Sequence, residues 1–282
     1  MSGGDARGRG ERREAGGALP GLFVSHGAPD LLLSHLPARR FFVEVGKRLA
    51  RPRGIVAVSA HWLTPSLQAT APAPLETIHD FHGWPAPLYE MEYQATGAAW
   101  LNEALAEALE GAGFSLAGAS RQGLDHGAWV PLSLMYPGAD IPVAQLSLLN
   151  GASPEEHFRI GEALARLRRA GILVLGSGGV VHNLRAMAPE GTPPEAWARS
   201  FDEWIWDRLR SRELHALFRF AEKAEYAAEA HPTDEHLMPL FLAMGTGWSE
   251  GGVRRIHHGF SYGNISMAAY AFGSPGALSP LS

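Results

Sequence analysis

Short apolar runs that end on small residues or histidine, separated by stretches with helical spacing, constrain this chain more than any other feature. The runs are Leu22–Ser25, Ile55–Ala60, Pro142–Leu148, Ile172–Leu175 and Met267–Phe272, with a weaker one over Arg254–His258. Arg39–Arg51, Thr96–Ala112, Pro154–Ala170, Glu195–Leu209 and Asp234–Gly245 read as helices between them. One helix carries its own punctuation: Ser153 is an N-cap, Pro154 a first-turn proline, Glu155 and Glu156 early acids, and Gly171 a stop. Alternation of this kind predicts an α/β fold, a single domain with a central, mostly parallel or mixed sheet flanked by helices.

With 282 residues, one large domain can bury a substantial core, and no linker divides the chain after Gly21. The net charge of -5, with no long block of either sign, argues against nucleic acid or an anionic membrane as partner. Residues 1–19 are rich in glycine and arginine and lack an apolar core, so they read as a disordered tail ahead of a domain over 20–282. No run approaches the roughly 20 apolar residues of a membrane span, and a cytoplasmic protein is expected. A homo-oligomer is compatible with this sequence, which fixes no oligomeric state. There are no cysteines and 13 histidines, so a tightly held transition metal must use His, Asp or Glu.

Three histidines share one context at or beyond the end of an apolar strand: His26 after LFVS, His61 after IVAVSA, and His182 at the end of Gly176–Val181. In open α/β sheets the carboxyl ends of the strands line one crevice where ligands bind, so these three are expected to converge there. A lone strand-end histidine is usually a hydrogen-bonded loop residue; the triple, each member beside small residues, carries the signal. His126 sits on a turn next to Asp125, which can orient it, and His236 opens a helix capped by Thr233 or Asp234. His35, His157 and His215 read as solvated. The Pro- and Gly-rich segment Ala71–Pro87 holds His79 and His82 and reads as a long structureless loop that forms a pocket wall.

Two motifs fail. Gly259-Phe260-Ser261-Tyr262-Gly263 fits a nucleophile elbow, but no Asp, Glu or His follows Ser261 to complete a triad. Gly176-Ser177-Gly178-Gly179 begins like a dinucleotide fingerprint but lacks the third glycine. There is no phosphate-binding loop and no H-E-x-x-H zinc helix.

Seven ordered blocks resemble the class III extradiol ring-cleavage dioxygenases of the DOPA 4,5-dioxygenase type. They are SHGAP at 25–29, SAHW at 59–62, HDFHGWP at 79–85, LDHGAW at 124–129, GSGGVVHNLR at 176–185, DEHLMPL at 234–240 and SYGNISMAAYAFG at 261–273. The resemblance implies a metal-dependent enzyme that opens a catechol-type ring with O2. His26 and His61 match the family's two histidine ligands. His182 matches an active-site histidine that serves as acid–base catalyst, or as a further ligand when zinc is bound. His236 stands where the wider class places a glutamate ligand, and His126 matches a second pocket histidine. Replacing that carboxylate by imidazole leaves the single divalent metal open between Fe(II) and Zn(II), with Asp234 and Glu235 placed to supply the missing charge nearby. Phe81, Trp84 and Trp129, with Trp62, Tyr89, His79 and His82, are expected to wall the substrate pocket. A zinc-dependent hydrolase using the same histidines, or a non-catalytic ligand-binding protein on this fold, are the alternatives.

Overall fold

Successive residues of the central strands point to opposite faces, and both faces are apolar: Leu22, Val24, Ile55 and Ala57 belong to one buried cluster, Phe23, Val56 and Val58 to another. A sheet of this kind must be covered on both sides by helices. The computed structural model, which describes residues 17–118 and 123–281, has that arrangement. Its six-stranded sheet comprises β1 (Gly21–Ser25), β2 (Gly54–Thr64), β3 (Val143–Leu149), β4 (Ile172–Gly178), β5 (Gly252–His257) and β6 (Ala269–Gly273). The spatial order is β3-β2-β4-β1-β6-β5. The first four run parallel, and β6 and β5 close one side in antiparallel fashion. The expected mixed sheet is therefore present, and β2, β4 and β1 are neighbours whose carboxyl ends open on the same edge.

One face is covered by α1 (Pro37–Arg48) and α3 (His126–Met135), the other by α2 (Ala99–Glu110), α4 (Pro154–Arg169), α5 (Ala196–Arg210) and α6 (Met238–Gly247). Every residue of α6 is buried. It packs directly on α4 because the crossing carries glycines: a Cβ on Gly161 would meet Leu242 O at 2.0 Å, and one on Gly245 would meet Phe158 O at 2.1 Å. The Ser153–Glu156 capping box forms as the residues suggest. No described helix is long and apolar enough to cross a membrane.

Four expectations are corrected. Leu19, placed in the tail, is buried and its main chain exchanges hydrogen bonds with Arg168, so the folded part includes it; residues 1–16 lie outside the described residues. The helix expected from Asp234 starts only at Met238, after a turn in which Leu237 N–H donates to Asp234 O, so His236 precedes it. His157, read as solvated, is 1% exposed, because its ring folds back to donate from Nδ1 to Ser153 O at 3.0 Å. The segment after Ala71 is not structureless: Glu76–Thr77 pairs with Gly123–Leu124, and Ala86–Tyr89 forms a 3-10 turn.

Candidate active site and metal centre

His26 follows the last residue of β1, and its N–H donates to Gly178 O at the end of β4. His61 lies inside β2, which runs on to Thr64 with an irregular register against β3 between Val58 and Leu63. Such irregularities re-aim side chains near active sites. His236 is pressed onto the same edge: its carbonyl accepts from Gly179 N–H at 2.8 Å, and a Cβ on Gly178 would meet that carbonyl oxygen at 2.0 Å. Gly127 does the same for the start of α3, where a Cβ would lie 2.3 Å from Ser59 Oγ, 3.0 Å from His61 and 3.2 Å from His26. Glycines thus admit three chain segments to one point.

At that point the imidazoles meet nitrogen to nitrogen. His61 Nε2 stands 3.2 Å from His26 Nε2 and 3.3 Å from His236 Nε2. The surrounding bonds assign the tautomers. Ser177 gives its only proton to Gly127 O at 2.5 Å, so it accepts from His26 Nδ1 at 3.0 Å. Glu235 Oε1 accepts from His236 Nδ1 at 2.8 Å. Both rings are neutral with a bare lone pair on Nε2, and both lone pairs face His61 Nε2, whose single proton serves at most one of them well. A cation resolves that conflict. Two nitrogens each about 2.0–2.1 Å from one ion, at angles between the octahedral and tetrahedral values, stand about 2.9–3.4 Å apart. The separations of 3.2 and 3.3 Å fit a divalent metal held by imidazole.

His126 lies against this trio, its ring centroid 4.1 Å from that of His61. It is oriented by Asp80, whose Oδ1 accepts both its main-chain N–H and its Nδ1–H at 2.9 Å. Asp125, expected to orient it, instead caps α3 through Ala128 N–H and bonds Gln145. An aspartate adjacent in sequence points away; one 46 residues distant reaches the ring. Asp80 stands between His79 and His82 in the wall segment, with no local pattern that marks it as the partner of His126. His182 stacks on His236, centroids 3.4 Å apart and planes 6° from parallel.

Burial, and then the proximity of the other imidazoles, hold the pKa values of His26 and His236 well below the ordinary histidine value. Burial and then His231 and His61 bring His182 down to about 4. Burial opposes the charge on Asp80, but its bonds to His126 prevail and hold its carboxyl at about 2. His26, His182 and His236 are therefore neutral imidazoles at pH 7, with the carboxylates of Glu235 and Asp80 behind the centre.

These residues line a cavity of about 650 Å³, whose outer walls include Phe81, His82, Trp84, Leu184, Met187 and Ile265. His79, Trp62, Tyr89 and Trp129 do not line it. His79 donates from Nε2 to Met91 O and meets Phe81 and Trp129 edge-on, and Tyr89 packs on Phe81 and accepts from Trp84 N–H. Trp129 donates to Ile78 O from the core. These three brace the wall from behind, while strand pleating sends Trp62 away from the direction of His61. Loop spacing alone separates neither layer from the other.

The sequence profile of the family described as the catalytic LigB subunit of aromatic ring-opening dioxygenase matches residues 31–273. A 4,5-DOPA dioxygenase extradiol from Beta vulgaris is 36% identical, with 90% of this chain and 96% of that protein covered. The protein of the same name from Escherichia coli K12 is 37% identical, with 90% and 95% covered. A crystal structure of an uncharacterized Escherichia coli K12 protein superposes with a TM-score of 0.76 at 34% identity, over 90% of this chain and all of that one. The converging histidines and these relatives agree: the chain belongs to the class III extradiol ring-cleavage dioxygenases, in the branch of the 4,5-DOPA extradiol enzymes, and is a metal-dependent aromatic ring-opening dioxygenase.

Proposed function

We propose that this protein opens DOPA or a related catechol with O2, with one Fe(II) held by His26, His61 and His236, His182 as the base and His126 as a second pocket donor or acceptor. The observation that carries this is the meeting of three Nε2 atoms, two of them on buried rings whose opposite nitrogens are committed to Ser177 and Glu235. Iron bound there supplies Lewis acidity, which lowers the pKa of the catechol hydroxyls, and a redox partner for O2. The carboxylate of Glu235, behind His236, provides negative charge that a glutamate ligand would otherwise bring; Asp234 is exposed and bonds through its main chain instead.

A base must be neutral before it can accept a proton. His182 satisfies this at pH 7, since burial keeps its pKa at about 4. The stacking favours a base over a fourth ligand: imidazole lone pairs lie in the ring plane, and two parallel rings with centroids 3.4 Å apart direct theirs along parallel planes and not toward one point. His126, with its Nδ1–H held by Asp80, offers Nε2 to a substrate hydroxyl. Phe81 and Trp84 present flat apolar surface to an aromatic ring. Ring opening beside the hydroxylated carbons puts both O2 atoms into a coloured muconic semialdehyde.

The test is an oxygen electrode and absorbance assay on protein loaded anaerobically with Fe(II), using DOPA as first probe. One O2 consumed per ring opened, with Zn(II)-loaded protein inert, is the expected result. No O2 uptake with any member of a broad catechol panel overturns the proposal.

A further inference from the structure

Asp80 lines the cavity and faces two imidazoles of the centre, His126 at 2.9 Å and His61 at 3.7 Å. Its Oδ1 receives two bonds from one residue, the main-chain N–H and the Nδ1–H of His126, both at 2.9 Å. The first fixes where α3 begins. The second fixes the ring, leaving Nε2 as the nitrogen without the Asp80 proton bond. The other oxygen lies 3.7 Å from His61 Nδ1, beyond a hydrogen bond. The same residue belongs to the wall that presents Phe81, His82 and Trp84 to the cavity.

We infer that Asp80 is a positioning residue for the ring-opening reaction: it sets the tautomer and aim of His126 and ties the aromatic wall of the pocket to that histidine. This rests on the reading of His126 as a pocket participant. Asp125, the acid adjacent to His126 in sequence, does not replace it, because its carboxylate accepts from Ala128 N–H and from Gln145. The distinctive feature is that a single oxygen accepts both bonds. An asparagine can keep its carbonyl there, preserving the geometry while removing the charge, whereas alanine removes both.

The experiment compares Asp80→Asn, Asp80→Ala, His126→Ala and the Asp80→Ala/His126→Ala double variant, with Fe(II)-loaded protein and DOPA as probe. Thermal melting and iron content are measured alongside kcat and KM. Asp80→Ala is expected to lower kcat by about tenfold to a hundredfold, with KM within about threefold and iron content unchanged, since His26 and His236 keep their own partners. Asp80→Asn is expected to recover most of that loss. In the His126→Ala background, removing Asp80 is expected to cost far less kcat than in the wild type, since only the main-chain bond at position 126 is then left to lose. A full additional loss there, a wild-type kcat in Asp80→Ala, or iron lost from Asp80→Asn would overturn the inference. If His126→Ala alone keeps wild-type kcat, the role given to His126 has failed, and this is seen independently of any Asp80 variant.

Discussion

Ser177 has one proton and spends it on Gly127 O, so toward His26 it can only accept, and His26 Nε2 is left bare. Replacing it by alanine frees both tautomers of His26 and leaves a buried carbonyl unpaired. Ser177→Ala should weaken metal binding about 10- to 100-fold and lower stability by about 1–3 kcal/mol, read by chelator competition and urea unfolding; unchanged affinity would mean that the serine does not set the tautomer. His182 poses a different choice. If it is a base, His182→Ala retains the metal by elemental analysis while kcat falls by about 10²–10⁴; loss of the metal would make it a ligand. The histidines were legible because glycine and small residues at strand ends advertise an edge that ligands can approach. Their supports were not, apart from Glu235. Asp80 and Ser177 act across 46 and 151 positions of chain, and local sequence favoured Asp125, whose side chain the start of α3 claims as its cap.

Strand β4 shows how an element serves the site through what it lacks. Gly176 and Gly178 carry no Cβ, and the Pro239 and His236 carbonyls occupy that space, so the turn before α6 can lie on the strand and deliver His236 to the edge. Gly178→Ala should push that carbonyl outward. The expected cost is about 1–3 kcal/mol of stability together with weaker metal binding, whereas Gly151→Ala, at a turn with open space around it and φ +74, should cost stability but leave metal affinity untouched. Equal metal affinity in both variants would show that the strand does not position His236. Strand centres were readable from apolar runs because both faces of the sheet are buried. Two boundaries lie four residues from where the apolar and helical patterns place them. β2 continues through His61 because an irregular register carries pairing past it, and α6 starts late because Pro239 marks the first turn while the preceding residues make a separate turn. Helix α3 carries no amphipathic stripe in the sequence, since it is apolar nearly all round and contains Pro131.

Gathering neutral imidazoles in one edge makes the stability of the whole molecule depend on pH. Burial, then neighbouring imidazoles, keep His26 and His236 well below the ordinary value, and burial holds His182 and His231 at about 4. The unfolded chain protonates the same groups near pH 6.5. Between those limits the unfolded state binds more protons, so stability is full above about pH 6.5 and is lost as the pH falls toward 4, at about 1.4 kcal/mol per pH unit for each group involved. His258 works the other way, because its bond to Asp202 raises its pKa, but it is a single, largely exposed group and its contribution is minor beside the cluster. A metal on the trio stabilises the fold by mass action, and protons compete for the same nitrogens, so that gain also shrinks in acid. Denaturant unfolding of metal-free protein, followed by fluorescence of its eight tryptophans, should give similar free energies at pH 8 and 7 and a clear fall by pH 5.5. Adding Zn(II) as a redox-inert probe should raise the midpoint more at pH 7 than at pH 5.5. A metal-free stability that stays flat from pH 8 to 5.5 would mean that the cluster carries its protons in the folded state, and the convergence of bare nitrogens on one ion would have to be abandoned.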